Sequence, residues 1–195
     1  SEKEAEASSF PVSEPAETPP AIVDEIREEV SFQESKQKLV SLLMASDSDS
    51  SRLSATKNLL ALWGEYPDLS LSDAQSFYSL AVSQQMRCSE FWTNFDGLRS
   101  SNMPCILEMF IPYEPRPRYA VLAQLKEDSA KVFYGNTEPL DVPLDVLDEF
   151  WLRRAFIFWK DFERINESLK MGDSGSQVAW LQNSLQNLGL YTGGL

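Results

Sequence analysis

The chain has 195 residues, a formal net charge of −13 and no histidine. The missing histidine excludes a Ser/His/Asp triad, a Cys/His pair and a His-ligated zinc site within the chain. The negative charge argues against binding to nucleic acid or to an anionic membrane surface. With 43% apolar residues, we expect one domain of about 120 to 130 residues with smaller appendages. We expect no cofactor and no metal.

The first 37 residues are acidic and rich in proline. This composition is typical of a disordered linker, because it offers too little apolar surface to form a core. A short apolar stripe within the linker predicts a helix that docks on a partner. Its residues are Ile22, Val23, Ile26, Val30 and Phe32. No apolar run reaches the roughly 18 residues of a membrane-spanning helix, and Ser1 opens into polar sequence without the pattern of a signal peptide.

Residues 38–165 are predicted to form one domain whose helices come first. Apolar residues at helical spacing predict four helices. They are a short helix from Lys38, a second over 53–63 that stops at Gly64, a third capped within 70–73, and a fourth over 90–98.

After residue 102 the apolar period changes from 3.6 to about 2, which predicts strands. Strand-like runs cover 105–111, 119–125 and 130–134, helical spacing returns over 141–150, and 156–159 reads as a buried strand. Helices followed by a small antiparallel sheet indicate the α+β class. Because residues 156–159 form an apolar strand edge, we also expect a homo-oligomer, for example a dimer.

Two cysteines, Cys88 and Cys105, occur in apolar stretches. They are too few for a zinc site, and neither has a base beside it in the sequence. Buried thiols and a single disulfide both fit, because the sequence does not supply the Cα separation that a disulfide requires.

Carboxylate chemistry is the catalytic route that the composition leaves open. Asp145, Asp148 and Glu149, or Glu65 and Asp68, supply such groups, but their spacing is typical of a solvated helix face. We expect the tryptophans at 63, 92, 151 and 159 to lie in the core, since all are in apolar runs. The chain is therefore predicted not to be an enzyme, with a peptidoglycan hydrolase or peptidase as the alternative.

Residues 169–193 hold a helical pattern bounded by glycines. One face carries Val178, Leu181, Leu185 and Leu188; Asp173 or Ser174 is expected to cap the helix, and Gly189 to end it in the left-handed region. The pattern resembles the peptidoglycan-binding type 1 domain family, although an ordinary amphipathic helix is the alternative. The matching residues are Gly172, Asp173, Gly175, Val178, Leu181, Gln182, Leu185, Leu188, Gly189, Tyr191 and Gly193.

This resemblance implies that residues 166–195 begin a module that binds peptidoglycan. Members of the family have three helices, so we expect the module to be truncated at Leu195, after its first helix.

A second resemblance covers most of residues 61–159. Its motifs are Ala61-Leu62-Trp63-Gly64, Asp73-Ala74-Gln75-Ser76-Phe77, Met103-Pro104-Cys105-Ile106-Leu107, Arg118-Tyr119-Ala120-Val121-Leu122, Phe150-Trp151 and Phe158-Trp159. Their order resembles the periplasmic part of the general secretion pathway protein A (ExeA-like) family of type II secretion, which is similar to bacteriocin-processing cysteine peptidases.

The resemblance implies a papain-like fold, a periplasmic location with an inner-membrane tether, and two partners, general secretion pathway protein B and the secretin. Asp73 lies at the helix opening that carries the peptidase cysteine, Arg118 replaces the histidine, and Asn136 lies near the aspartate position. Arginine cannot accept a proton, so we predict a pseudo-peptidase that binds peptidoglycan and assists secretin assembly. Alternatively, the degenerate cleft between 71–87 and 117–125, edged by residues 115–118, binds a partner peptide.

Overall fold

The computed structural model describes residues 20–73, 76–161 and 168–193, with side chains except those of 20–28 and 73. The helices are α1 (Pro20–Met44), α2 (Ser48–Leu62), α3 (Phe77–Ser83), α4 (Phe95–Ser101), α5 (Leu144–Phe150) and α6 (Ser176–Asn187), with a 3₁₀ turn over Leu71–Asp73. The strands are β1 (Arg87–Trp92), β2 (Cys105–Met109), β3 (Arg118–Leu125), β4 (Ser129–Phe133), β5 (Leu140–Pro143) and β6 (Trp151–Trp159). The predicted α+β class is confirmed. None of the described helices is both long and apolar enough to cross a membrane.

The strands form one antiparallel sheet in the order β1-β6-β2-β3-β4-β5. The predicted strand at 156–159 is confirmed as part of β6, but its assignment to an edge is wrong, because β6 lies between β1 and β2. The three strand-like runs predicted between 105 and 134 are confirmed as β2, β3 and β4, which pair through sequential hairpins.

The helix predicted over 90–98 is wrong in its first half. Arg87–Trp92 is a strand, with Arg87 opposite Trp159 and Trp92 opposite Arg154. Helix α4 begins only at Phe95, after Asn94, whose side chain accepts a hydrogen bond from the Gly97 amide. Pairing along β6 therefore overrides the helical spacing that Glu90 to Leu98 shows locally.

The sheet is covered on both faces, and each face has its own apolar core. Along β3, Ala120 and Leu122 point into a first core that α1 and α5 cover, while Tyr119 and Val121 point into a second core under α2 and α3. The alternation follows from the two-residue period of a strand. The fold therefore has three layers.

Helix α1 crosses the predicted linker boundary at residue 37. Leu39 and Leu43 are buried in the first core, and Phe32 packs against it. The predicted docking helix is thus the first part of α1, where Val30 is exposed and Ile22, Val23 and Ile26 have side chains outside the described set. Residues 1–19 of the predicted linker also lie outside the described residues.

Two element boundaries differ from prediction for local reasons. Ser76 caps α3 by accepting from the Ser79 amide, so residues 70–73 form a separate turn and not the cap. Residues 140–143 form β5, so helical backbone in the predicted 141–150 helix begins only after Pro143. By contrast, α2 ends as predicted, with Gly64 at φ +76° after the C-cap Trp63.

Candidate functional site

Arg118, which the resemblance placed at the position of the peptidase histidine, is buried and hydrogen-bonded on all sides of its guanidinium. The residue is 7% exposed, and its Nε donates to the Ser46 carbonyl oxygen at 2.6 Å. Nη1 donates to the Arg116 carbonyl at 2.9 Å, and Nη2 to Glu114 Oε2 at 3.2 Å. Ser46 lies in the turn between α1 and α2. Arg118 therefore links β3 to the turn through which the chain crosses from one face of the sheet to the other.

The same turn is held from a second strand. Tyr134 follows β4, and its hydroxyl donates to the Leu43 carbonyl at 3.0 Å and lies 2.8 Å from Ser46 Oγ. Burial raises the pKa of Tyr134, which keeps the phenol protonated and able to donate. Of the residues 115–118 expected at the edge of the degenerate cleft, Pro115 and Arg116 are exposed and Arg118 is buried.

The structure does not bring Arg118 to the start of α3. Arg118 lies opposite Met109 of the first core, whereas Phe77 of α3 contacts Tyr119 on the other face. Asn136 is exposed in the turn that follows β4. The backbone of Asp73 lies in the 3₁₀ turn, and its side chain is outside the described set.

Aromatic packing fills the predicted cleft between α3 and β3. The ring of Phe77 lies 4.9 Å from that of Tyr119, nearly perpendicular to it, and 4.6 Å from that of Phe156. The Arg52 guanidinium lies 5.1 Å from the Tyr119 ring centroid and 5.9 Å from that of Phe77. With these rings buried against one another, α3 packs directly on β3 at Phe77 and Tyr119.

Both cysteines are free thiols, so the disulfide alternative is wrong. Cys88 lies on β1 and Cys105 on β2, with β6 between them. Two strand spacings separate these strands by about 9.5 Å, beyond the Cα separation that a disulfide spans. The two side chains also belong to different cores. Burial raises the pKa of each thiol to about 12, with the Glu90 charge adding to the effect at Cys88.

We expect both thiols to be almost inert toward alkylation at pH 8 in the folded protein. A pKa of about 12 leaves a thiolate fraction on the order of 10⁻⁴ at that pH. Iodoacetamide labelling followed by intact mass should give an unmodified protein under native conditions and two adducts in denaturant. Rapid native labelling of either cysteine would contradict the assigned burial and restore a candidate nucleophile.

The carboxylates predicted as catalytic candidates lie at the surface, several of them in ion pairs. Asp148 pairs with Arg153 at 2.6 Å, Glu149 with Lys36, and Glu65 with Lys160 at 2.6 Å. Asp145 and Asp68 are exposed. Within residues 20–73, 76–161 and 168–193, no group of three or more His, Cys, Asp or Glu side chains is arranged to hold a metal ion.

An ion cluster that the sequence did not reveal spans three strands. Arg154 of β6 donates from Nε to Glu90 Oε1 at 2.8 Å and from Nη1 to Glu108 Oε2 at 2.9 Å. The hydrogen bond from Arg154 lowers the pKa of Glu90, and the Tyr78 hydroxyl donates to its other oxygen at 3.3 Å. The cluster was missed because Glu90 was predicted to be helical and Glu108 lies in an otherwise apolar run.

The expected core position of the tryptophans holds best for Trp151, which is buried. Trp63 and Trp159 are half-buried. Trp92 is 69% exposed, so its assignment to the core is wrong. It is the last residue of the edge strand β1, and its ring centroid lies 5.9 Å from the Arg154 guanidinium carbon.

Helix α6 lies within the pattern that resembles the peptidoglycan-binding type 1 family, and its start differs from the prediction. Gly175, at φ +124°, is the N-cap and supplies no side-chain hydrogen bond. Asp173 accepts from the Lys170 amide at 2.6 Å and so closes the preceding turn. Capping by Asp173 or Ser174 is therefore wrong; a glycine is favoured at 175 because the left-handed backbone would strain any other residue.

The predicted end of α6 is confirmed. Gly189 has φ +71°, its amide donates to the Gln186 carbonyl at 2.9 Å, and the Leu190 amide donates to the Leu185 carbonyl at 2.8 Å. These two bonds are those of a Schellman motif.

Other motif residues meet beyond this end of the helix. Gln182 Nε2 donates to the Tyr191 hydroxyl at 3.2 Å. A Cβ at Gly193 would lie 2.2 Å from that hydroxyl oxygen, so a larger side chain does not fit there without movement of the ring.

The apolar face of α6 is less covered than predicted. Val178, Leu181 and Leu185 are half-buried, while Leu188 is 71% exposed. None of the residues of α6 is fully buried. Trp180 and Leu190 are also exposed, so this segment presents several apolar side chains at its surface.

Comparisons with known proteins match at the level of the fold. No protein-family model and no curated protein matches the chain. The periplasmic domain of the EpsAB fusion protein of the Vibrio vulnificus type II secretion system matches with a TM-score of 0.50 and 19% identity, over 72% of this chain and 60% of that chain. This chain has the fold of the EpsAB periplasmic domain. The likeness to the periplasmic part of type II secretion, inferred from motifs, is confirmed at that level.

Peptidase domains also match, with lower scores. The peptidase domain of Streptococcus ComA gives a TM-score of 0.46 and 7% identity, over 55% of this chain and 88% of that one. The N-terminal peptidase C39-like domain of a toxin secretion ATP-binding protein from Vibrio parahaemolyticus gives 0.44 and 19%, over 60% and 98%. The chain spans 60% of the EpsAB chain and most of these two smaller domains.

Proposed function

We propose that this chain is a non-catalytic periplasmic module of type II secretion that binds peptidoglycan and assists transport and assembly of the secretin across the cell wall. The observation that carries the proposal is the fold shared with the EpsAB periplasmic domain over 72% of the chain. In the whole protein the module is tethered to the inner membrane, and its partners are peptidoglycan, general secretion pathway protein B and the secretin.

The non-catalytic part of the proposal is supported by the contacts of the residues at and around the expected peptidase positions. Arg118 uses its donors on Ser46, Arg116 and Glu114 and offers no base. Phe77 and Tyr119 fill the space between α3 and β3. Both thiols are held protonated by burial. A thiolate or hydroxide nucleophile would therefore lack an activating partner among the described residues.

The peptidoglycan-binding part is supported by the surface of α6. Trp180, Leu188 and Leu190 are exposed, and the same segment holds the hydrogen-bonded pair Gln182 and Tyr191. Exposed aromatic and apolar side chains on a segment that also carries amide and hydroxyl groups suit a glycan with acetamido and peptide substituents, because such a ligand has both apolar and polar parts. We assign binding to this surface.

We expect purified murein sacculi to pull the chain down in a saturable way. Replacing Trp180 and Leu188 together with serine should weaken binding by about tenfold, because both side chains are exposed and their loss removes contact area without disturbing a core. Serine at Met171, which is fully exposed just before the motif, is the matched control and should bind as the wild type does. Equal binding by all three proteins would contradict the assignment to α6.

The homo-oligomer was expected because residues 156–159 were predicted to form an edge strand, but they belong to β6, which lies inside the sheet. We keep self-association as a proposal that light scattering at several protein concentrations tests directly.

A further inference from the structure

The two edges of the sheet are protected unequally. Strand β5 is four residues long, ends in Pro143 and is packed by α1 and α5, so it is a poor template for another strand. Strand β1 has six residues and no proline, and no strand among the described residues pairs with its outer side. Edge strands without such protection accept further strands. The open edge of this fold is therefore β1.

Helix α3 lies against one face of this open edge and carries exposed apolar side chains. Tyr78 and Val82 are one helical turn apart, 48% and 70% exposed. The Tyr78 hydroxyl reaches Glu90 on β1 at 3.3 Å, which places this side of the helix above the strand. Trp92, 69% exposed, ends the strand on the same face as Glu90. We call Tyr78, Val82, Glu90 and Trp92 the β1–α3 surface.

An edge strand beside a helix with an exposed apolar stripe can bind an extended peptide as an additional strand of the sheet, a mode called strand addition. In that mode the main chain of an extended peptide pairs with the edge, and alternate side chains pack against the helix. Here the added strand would lie along Arg87–Trp92, and every second side chain would meet Tyr78, Val82 or Trp92. Tryptophan and tyrosine are the residues most enriched among energetic anchors of interfaces.

The charge of the β1–α3 surface indicates the chemistry of its occupant. Glu90 and Glu108 both pair with Arg154, so these three groups together carry a net negative charge. A basic side chain would be attracted by these carboxylates and would stack on the open indole of Trp92. A second copy is disfavoured, because each chain carries −13 and two Glu90 side chains would approach each other across the new pair of strands.

We propose that the edge of β1 binds an extended segment of a partner protein in which basic and apolar side chains alternate. The segment adds a seventh strand next to the six of the sheet and lays its apolar side chains on the β1–α3 surface. This site is separate from α6, and it does not depend on peptidoglycan binding.

The test uses the full chain and a blocked, fluorescein-labelled peptide of about ten residues in which lysine and valine alternate. We expect a saturable rise in fluorescence anisotropy, weakened by salt. Trp92→Ala and Val82→Asp should each weaken binding by about tenfold. Tyr113→Ala removes a fully exposed aromatic side chain from the loop between β2 and β3 and should leave binding unchanged.

Two modified peptides test the mode of binding. N-methylation of the amides on one edge of the peptide should abolish binding, while N-methylation of the opposite edge should not, because only one edge pairs with β1. The proposal is overturned if the alternating peptide does not bind, if a peptide with glutamate in place of lysine binds equally well, or if neither N-methylated peptide loses affinity. It is also overturned if the chain dimerises alone and Trp92→Ala makes it monomeric.

Discussion

Replacing Arg118 with alanine should lower the free energy of unfolding by about 3 kcal/mol, the typical cost of breaking a buried charged network. The change removes three hydrogen bonds and leaves the half-buried Ser46 carbonyl without its 2.6 Å donor. Urea denaturation followed by tryptophan fluorescence measures the effect. Arg116→Ala, two residues away and exposed, should change stability by no more than about 0.5 kcal/mol.

Arg118→His separates a structural role from a catalytic one. Histidine is the residue that the peptidase resemblance implies at this position, but an imidazole cannot reach the three acceptors that Arg118 bridges. We expect a loss of stability close to that of the alanine variant and no cleavage of peptides. A stable Arg118→His variant that cleaves a peptide would show that the site is an active site lacking only its base.

Replacing Phe77 with alanine should cost about 3 to 4 kcal/mol of unfolding free energy, in the usual range for a buried phenylalanine. Phe77 is buried among Tyr119, Phe156 and Phe158, and its ring contacts all three. Its removal would leave a cavity between α3 and the sheet, which rigid neighbours on β3 and β6 cannot fill.

The adjacent Tyr78 is a matched control for this variant. It is an aromatic residue on the same helix, but it is half exposed, so Tyr78→Ala should cost less than about 1 kcal/mol. A similar small effect for Phe77→Ala would mean that the rings do not close the cleft, and the interpretation of a filled site would fail.

The regular strands were predictable because their pattern is local. Runs with a period of two identified β2, β3 and β4, and Gly64 marked the end of α2. The strand β1 was missed because Cys88-Ser89-Glu90-Phe91 has no clear alternation of its own; its conformation comes from pairing with β6, which is more than 50 residues away in the chain. The spacing of apolar residues likewise does not show which face of the sheet each helix covers.

The candidate site shows the same limit. The sequence flagged Arg118 as unusual, and only the structure shows its acceptors on Ser46 and Glu114, the former 72 residues away. Asp173 had the right chemistry for a cap, but the left-handed Gly175 determines where α6 begins. The exposed Trp92 was assigned to the core because sequence hydrophobicity does not distinguish an edge strand from an inner one.

Whether the chain binds peptidoglycan without cleaving it is tested by a single incubation of the full chain with purified sacculi, in which bound protein and soluble muropeptides are both quantified. We predict saturable binding and no muropeptides above those released from sacculi alone. Release of muropeptides would contradict the non-catalytic assignment, and absence of binding at any protein concentration would contradict the assignment of peptidoglycan as ligand.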